Sequence, residues 1–323
     1  MSSAAARFPL DAGLLEKLHE HDPWRFPVRL ATFLLLYVVG AVAAVIAFER
    51  FGAAGLVVAL PACLLSAASL HGISLFTHEA VHGVLSSNPH RNAVFGALCA
   101  WPVLQNFSAY RVLHLRHHAH LGVAGDPDHY DNYSGRGWLI MAMHWGRLLL
   151  GYPAYLLAIP VLGWRAARGA ERWYIAAEVC GGVAFVSLLL VAPLPPSWLV
   201  FGWLIPMVFI NTLVNIRGMS QHTLLDAPSE IVAGTRTILG TPLSRFFMCN
   251  ENYHLEHHLY AGVPWYHLPA LHAALRPGLE AARAPYIAGY LSFVRDFVMA
   301  SLSGRPRGTV TLHPRRRLLD DAP

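Results

Sequence analysis

Residues 30–48 read LATFLLLYVVGAVAAVIAF, and residues 56–82 read LVVALPACLLSAASLHGISLFTHEAVH. Each contains an apolar run long enough to cross a hydrocarbon layer of about 30 Å, which takes roughly 20 helical residues. In lipid, every backbone N–H and C=O must be satisfied within the segment, so such runs are helices. Only ERFG and its neighbours separate them, which reads as a tight hairpin that crosses and returns. The second run ends in His78-Glu-Ala-Val-His82, where the chain leaves the membrane. Spacing of i, i+4 puts both imidazoles on one helix face, so both can aim at one metal.

The pattern recurs downstream. Apolar runs at about 173–192 and 197–216 are separated only by PLPPS. The expected spans are therefore about 29–49, 53–76, 173–192 and 197–216. The expected fold is all-α and integral to the membrane, with four transmembrane helices in two hairpins. Residues 77–172 and 217–323 would form a helical cap on the cytosolic side. Composition agrees: 55% of the 323 residues are hydrophobic and mean hydropathy is +0.40. Only 13% are charged, against about 25% in soluble domains. Placing the N terminus inside leaves 23 of the 24 Lys and Arg on the inner side, with Arg50 alone outside. The positive-inside rule thus puts both termini and the histidine clusters in the cytoplasm, at the inner membrane if the source is bacterial. That orientation accounts for the net charge of +5, and no nucleic-acid motif accompanies it.

Residues 93–105 are too short to span, and 138–162 carry His144, Arg147, Pro153 and Pro160. Both read as interfacial or re-entrant segments on the inner face. Residues 1–28 read as a cytosolic segment without a cleavable leader, 29–302 as one membrane domain, and 303–323 as a disordered basic tail containing Arg315, Arg316 and Arg317. Cys63, Cys99, Cys180 and Cys249 make no CxxC and read as packing residues.

Chemistry is concentrated in the histidines, of which there are 19. After HEAVH come His114-Leu-Arg-His117-His118 and His254-Leu-Glu-His257-His258. In each HxxHH the i and i+3 or i+4 pair shares a face, and the adjacent ring points about 100° away, toward a second metal. These eight histidines, with His222 of RGMSQH as a ninth candidate, suffice for a pair of metals. Burying so many polar rings without a partner would be costly, and imidazole suits iron, zinc, copper and nickel. His71, His120 and His129 are minority candidates for the same site. Glu79, Asp126, Asp128 and Glu256 are candidates to accept hydrogen bonds from the outer ring nitrogens of the ligands. Their ordinary alternative is as loop or surface carboxylates.

In order and setting, HEAVH, HLRHH and NYHLEHH resemble the histidine boxes of the membrane fatty-acid desaturase and hydroxylase superfamily, over roughly residues 29–275. The stretch NYHLEHHLYAGVPWYHLPALH also resembles bacterial desaturases and carotenoid ketolases. The resemblance implies two irons held by His78, His82, His114, His117, His118, His254, His257 and His258, with His222 matching the extra histidine between the second and third boxes. It implies an oxidoreductase that uses O2 and two externally supplied electrons to attack an unactivated C–H bond. The first reading is a fatty acyl or lipid desaturase. The alternatives are a hydroxylase or ketolase of a lipid or carotenoid, and a desaturase of a small amino-acid-like metabolite. No haem or iron–sulfur motif is visible in the chain, so a separate reductase and a ferredoxin- or cytochrome-type donor are expected.

Two other classes compete. HEAVH is literally HExxH, the motif of zinc metalloproteases. Such a site needs one further ligand and an open water position, and has no use for two HxxHH clusters. A metal transporter would carry its ligands near the midplane of its spans, whereas these histidines cluster at one membrane face.

Overall fold

The computed structural model describes residues 5–225 and 227–303. The tail expected to be disordered therefore lies outside the described residues from residue 304 on. The helices are α1 (Ala12–His19), α2 (Arg25–Phe51), α3 (Leu56–Val81), α4 (Pro89–Ala100), α5 (Phe107–His120), α6 (Gly137–Ala166), α7 (Ala170–Val191), α8 (Pro196–His222), α9 (Pro242–Phe247), α10 (His254–Leu259), α11 (Leu268–Ala281) and α12 (Tyr290–Leu302). Two short strands, β1 (Thr237–Ile238) and β2 (Tyr286–Ile287), pair in parallel.

Among the described residues, four helical stretches are long and apolar enough to cross a membrane: Arg25–Val81, Gly137–Ala166, Ala170–Val191 and Pro196–His222. The first is α2 and α3 together, 57 residues, well over twice the roughly 20 that one crossing needs. The others add α6 to the stretches expected from sequence. Residues 138–162 are thus part of one continuous 30-residue helix, although Pro153 and Pro160 lie inside it. The reason is local. Pro153 has no N–H to give to the Leu149 carbonyl four residues back. Asn211 of α8 supplies it instead: its Nδ2 donates to Leu149 O at 3.1 Å and Leu148 O at 3.2 Å, and its Oδ1 accepts from the Tyr152 N–H at 2.9 Å. A neighbouring polar side chain re-satisfies the backbone that proline frees, as it must in an apolar setting.

Contacts group the chain into two compact units. The first comprises residues 21–115 and 146–215. Here α2 and α3 pack along one another through small residues. A Cβ on Gly40 would stand 2.6 Å from the Ala62 carbonyl oxygen, and one on Gly72 would enter the Phe33 ring at 2.5 Å. Such close backbone approach is how apolar helices gain packing energy where no hydrophobic drive separates helix from lipid. The chain reverses at Gly52, whose φ of +54° suits glycine. The N terminus of α5 is capped twice. Asn106 Oδ1 accepts from the Ala109 N–H at 2.8 Å, and Glu178 of α7 accepts from the Ser108 N–H at 3.0 Å. A carboxylate there also complements the helix dipole.

The second unit comprises residues up to 20, 116–145 and from 216 onward. Leu268, Leu271, Leu275 and Leu279 line one face of α11 at i, i+3, i+4 spacing and are all buried. They pack against Leu255 and Leu259 of α10. Every residue of α10 is buried, although four of the six are histidine or glutamate. Cys63, Cys99 and Cys249 are buried, while Cys180 is exposed.

Candidate metal centre

In the first unit, α3 carries His78 through its last turn to His82, and α5 presents His114. Their ligand atoms lie within 4.8 Å of one another. His114 Nε2 is 3.0 Å from His82 Nε2. The His78 ring centroid is 4.9 Å from that of His82 and 4.6 Å from that of His114. Glu79 Oε1 is 3.8 Å from His78 Nδ1, an ion-pair separation rather than a hydrogen bond. The Tyr110 ring lies 5.1 Å from His114, one turn back on α5.

The second unit gathers the other six. The ligand atoms of His117, His222 and His258 lie within 4.8 Å of one another. His254 Nε2 is 3.0 Å from His222 Nε2 and 3.1 Å from His258 Nε2. His118 stacks on His258 at 4.1 Å, and its ring is 5.1 Å from that of His257. On both helices the pattern separates by spacing: His254 and His258, four apart on α10, converge, while His257 turns toward His118.

The outer nitrogens show how rings are fixed. His117 Nδ1 is 2.9 Å from Asp126 Oδ1, and Asp126 also accepts from the backbone N–H groups of Gly122 and Asp128 at 2.8 and 2.9 Å. Burial opposes the Asp126 charge, but the His117 hydrogen bond and those N–H donors outweigh it, holding the carboxyl below its ordinary range. His222 Nδ1 is 3.0 Å from the Gly234 carbonyl oxygen. A carbonyl only accepts, so Nδ1 carries the proton and Nε2 keeps its lone pair. Glu251 Oε1 is 3.7 Å from His254 Nδ1 and pairs closely with Arg217. Burial raises the Glu251 pKa despite Arg217.

Two candidate carboxylates behave otherwise. Glu256 faces away from the ligands: it accepts from Thr237 Oγ1 at 2.7 Å and lies 2.6 Å from His272 Nδ1, clamping α10 to β1 and α11. Asp128 is exposed and contributes its backbone N–H. His71 is buried two turns before His78, His120 is exposed with Nδ1 3.1 Å from Arg116 O, and neither they nor His129 belong to the converging groups found among the described residues. Spacing did not single out Arg217, Gly234, Arg236, Glu251 or His272. Arg217 opens RGMSQH and Glu251 immediately precedes NYHLEHH, close enough to have been candidates.

These residues fit a metal. Two nitrogens each about 2.1 Å from one ion, at right angles, stand about 3.0 Å apart, the separation found between the Nε2 atoms here. Converging lone pairs repel without a cation. Burial and the neighbouring imidazoles hold the His258 pKa well below its ordinary value, so its ring is neutral, the form that ligates. The clusters are compatible with metal binding.

Comparison with known proteins agrees. The profile of the family described as "Fatty acid desaturase" matches residues 54–290. A beta-carotene ketolase of Paracoccus sp. (strain PC1) is 27% identical over 205 residues, covering 61% of this chain and 72% of the ketolase. An sn-1 oleoyl-lipid 12-desaturase of Arthrospira platensis is 22% identical over 233 residues, 62% of this chain and 63% of that enzyme. A dihydrorhizobitoxine desaturase of Bradyrhizobium elkanii is 27% identical over 229 residues, 64% of each chain. The chain thus spans just under two thirds of the two desaturases.

Proposed function

This chain belongs to the fatty acid desaturase family, an oxidoreductase family of membranes, and from that premise we propose that it is an O2-dependent di-iron lipid desaturase. The observation that carries the proposal is the convergence of imidazole nitrogens in both units. His117, His222, His254 and His258 hold one iron. His78, His82 and His114 hold the other, and His118 and His257 are the remaining histidines of the boxes. His114 and His118 are four apart on one continuous helix, the spacing that brings two rings to one ion. Membership sets aside the zinc-protease reading of HEAVH.

When bound, the irons supply O2 activation and removal of hydrogen from an unactivated carbon. The balance is one O2, two electrons and two protons consumed, with a carbon–carbon double bond and two waters formed. The protein's part is to hold the rings neutral and oriented. Asp126 and the Gly234 carbonyl fix the Nδ1 protons of His117 and His222, so both Nε2 lone pairs face inward. Electrons come from a separate reductase through a ferredoxin- or cytochrome-type carrier.

One ring contact supports the membrane arrangement we propose. The His117 and His222 centroids are 4.9 Å apart, which favours an even number of crossings between them. We read α7 and α8 as those two, with α6 at the interface. With α2 and α3 as the first hairpin, both termini and the irons face the cytoplasm.

A second substrate reading is carotenoid ketolation, favoured by the ketolase similarity. Desaturation of a small amino-acid-like metabolite is a third, favoured by the dihydrorhizobitoxine desaturase. The decisive test is metal content with Mössbauer spectroscopy on detergent-purified protein, beside His257→Ala. Two irons per chain, lost or halved in the variant, are expected. One zinc and no iron, even after anaerobic iron loading, would overturn the proposal. Substrate screening with reductase, carrier and O2 then separates lipid, carotenoid and small-metabolite substrates.

A further inference from the structure

Among the largest fully buried side chains is a charged one, Arg236, 1% exposed. Its guanidinium spends its donors on one helix end. Nη1 donates to Ser220 O at 2.9 Å, and Nη2 donates to Thr223 O at 2.9 Å and Leu224 O at 3.4 Å. Its backbone N–H donates to Gln221 O at 3.0 Å. These carbonyls surround His222, the last residue of α8. The final carbonyls of a helix have no partner within it, and a cation there complements the dipole. Burial lowers the Arg236 pKa to about 10, so it stays charged. Asp296 supports that charge, and the Phe293 ring lies 5.8 Å from its Cζ.

Two further features mark this end as held in place. Leu224 has φ +63°, a left-handed conformation costly for a branched side chain, and its carbonyl is one that Arg236 engages. Two residues before Arg236, the Gly234 carbonyl accepts from His222 Nδ1. Gly234 is required there: a Cβ would stand 2.4 Å from the Pro228 carbonyl oxygen. One three-residue stretch, 234–236, therefore grips both the ring of His222 and the backbone that carries it.

We propose that Arg236 is a positioning residue for His222, setting the helix end and, with the Gly234 carbonyl, the ring orientation on which ligation by His222 depends. The inference rests on His222 being a ligand, as proposed above. It explains how a histidine outside the three boxes, with no second histidine at helical spacing, is held in place.

The test is a double-mutant cycle on the full chain in detergent, with Co2+ as the probe. Co2+ absorption reports ligand geometry, and chelator competition reports affinity. Arg236→Lys keeps the charge but loses the planar fork that reaches several carbonyls. We expect it to weaken one Co2+ site by about 10- to 100-fold and alter its spectrum. In a His222→Ala background it should add nothing. Equal weakening in both backgrounds would make Arg236 a general structural residue and overturn the inference. So would an unchanged site, or loss of cooperative unfolding in metal-free Arg236→Lys. Because the cycle uses Co2+, it stands apart from the iron measurement: zinc-only native protein would sink the di-iron reading while leaving the coupling to be read.

Discussion

The two sets of candidate ligands are supported by different chemistry. In the first unit, His114 lies against the Tyr110 ring at 5.1 Å, and Tyr110 in turn meets Tyr155 at 6.4 Å. The Glu79 carboxylate is 3.8 Å from His78 Nδ1. In the second unit, oxygen acceptors reach the outer ring nitrogens: Asp126 to His117 at 2.9 Å and the Gly234 carbonyl to His222 at 3.0 Å. Ring packing restrains orientation but not tautomer. A hydrogen-bond acceptor fixes both, and a carboxylate also raises ligand basicity. The comparison teaches that the second unit is built to dictate protonation at its site, with buried polar groups bearing the cost.

The steepest way to break that contrast is through Glu251, 3% exposed as a side chain and paired with Arg217. Glu251→Leu leaves the Arg217 charge without its partner. Breaking a buried pair costs about 3–5 kcal/mol, whereas replacing both members with apolar groups is often neutral. Metal-free Glu251→Leu should therefore melt well below the parent, and Glu251→Leu/Arg217→Met should recover most of the loss. Metal affinity should stay low in the double variant, because the carboxylate near His254 Nδ1 is still gone. A single variant that melts like the parent would show the pair to be incidental.

What could be read beforehand follows the same division. The convergence of the three boxes was legible because their histidines sit three or four residues apart, and helical periodicity converts that spacing into geometry. Helices α2, α3, α7 and α8 were legible because length and apolarity suffice to specify them. The supports of His222 were hidden because Gly234 ends a short helical turn and Arg236 follows it, in a segment whose approach no local period encodes. The contacts of Glu256 were hidden for a related reason. Lying between His254 and His257 suggested a partner for ligands, but in α10 its side chain projects to the opposite face, where Thr237 and His272 wait. The continuity of α6 through Pro153 depended on Asn211, a residue 58 positions later in a different helix.

Asp126 sharpens the comparison at a smaller scale. Asp126→Asn keeps the shape but removes the charge beside His117 Nδ1, and should weaken one metal by about 10- to 100-fold. Its pKa is depressed in the fold, so the sign is set: its contribution is complete above the ordinary carboxylate value and fades only as pH falls through the lower folded one. Between about pH 6 and 8 the deficit of Asp126→Asn should be flat. Chelator competition across that range checks it, and a deficit that appears only toward pH 6 would assign the effect to another group.

The smallest expected effect is at Tyr110, and it carries the most information about the contrast. Tyr110→Phe retains the ring beside His114 and should leave metal binding unchanged. Tyr110→Leu removes it. An aromatic contact of this kind is worth about 0.5–1.5 kcal/mol, which corresponds to about a 2- to 12-fold change in affinity. If restraint by packing is weaker than restraint by a hydrogen-bonded carboxylate, Tyr110→Leu must cost less than Asp126→Asn when the two sites are titrated separately. Equal losses would mean that orientation alone governs ligation in both units, and that the acceptors behind His117 and His222 act as packing groups that happen to be polar.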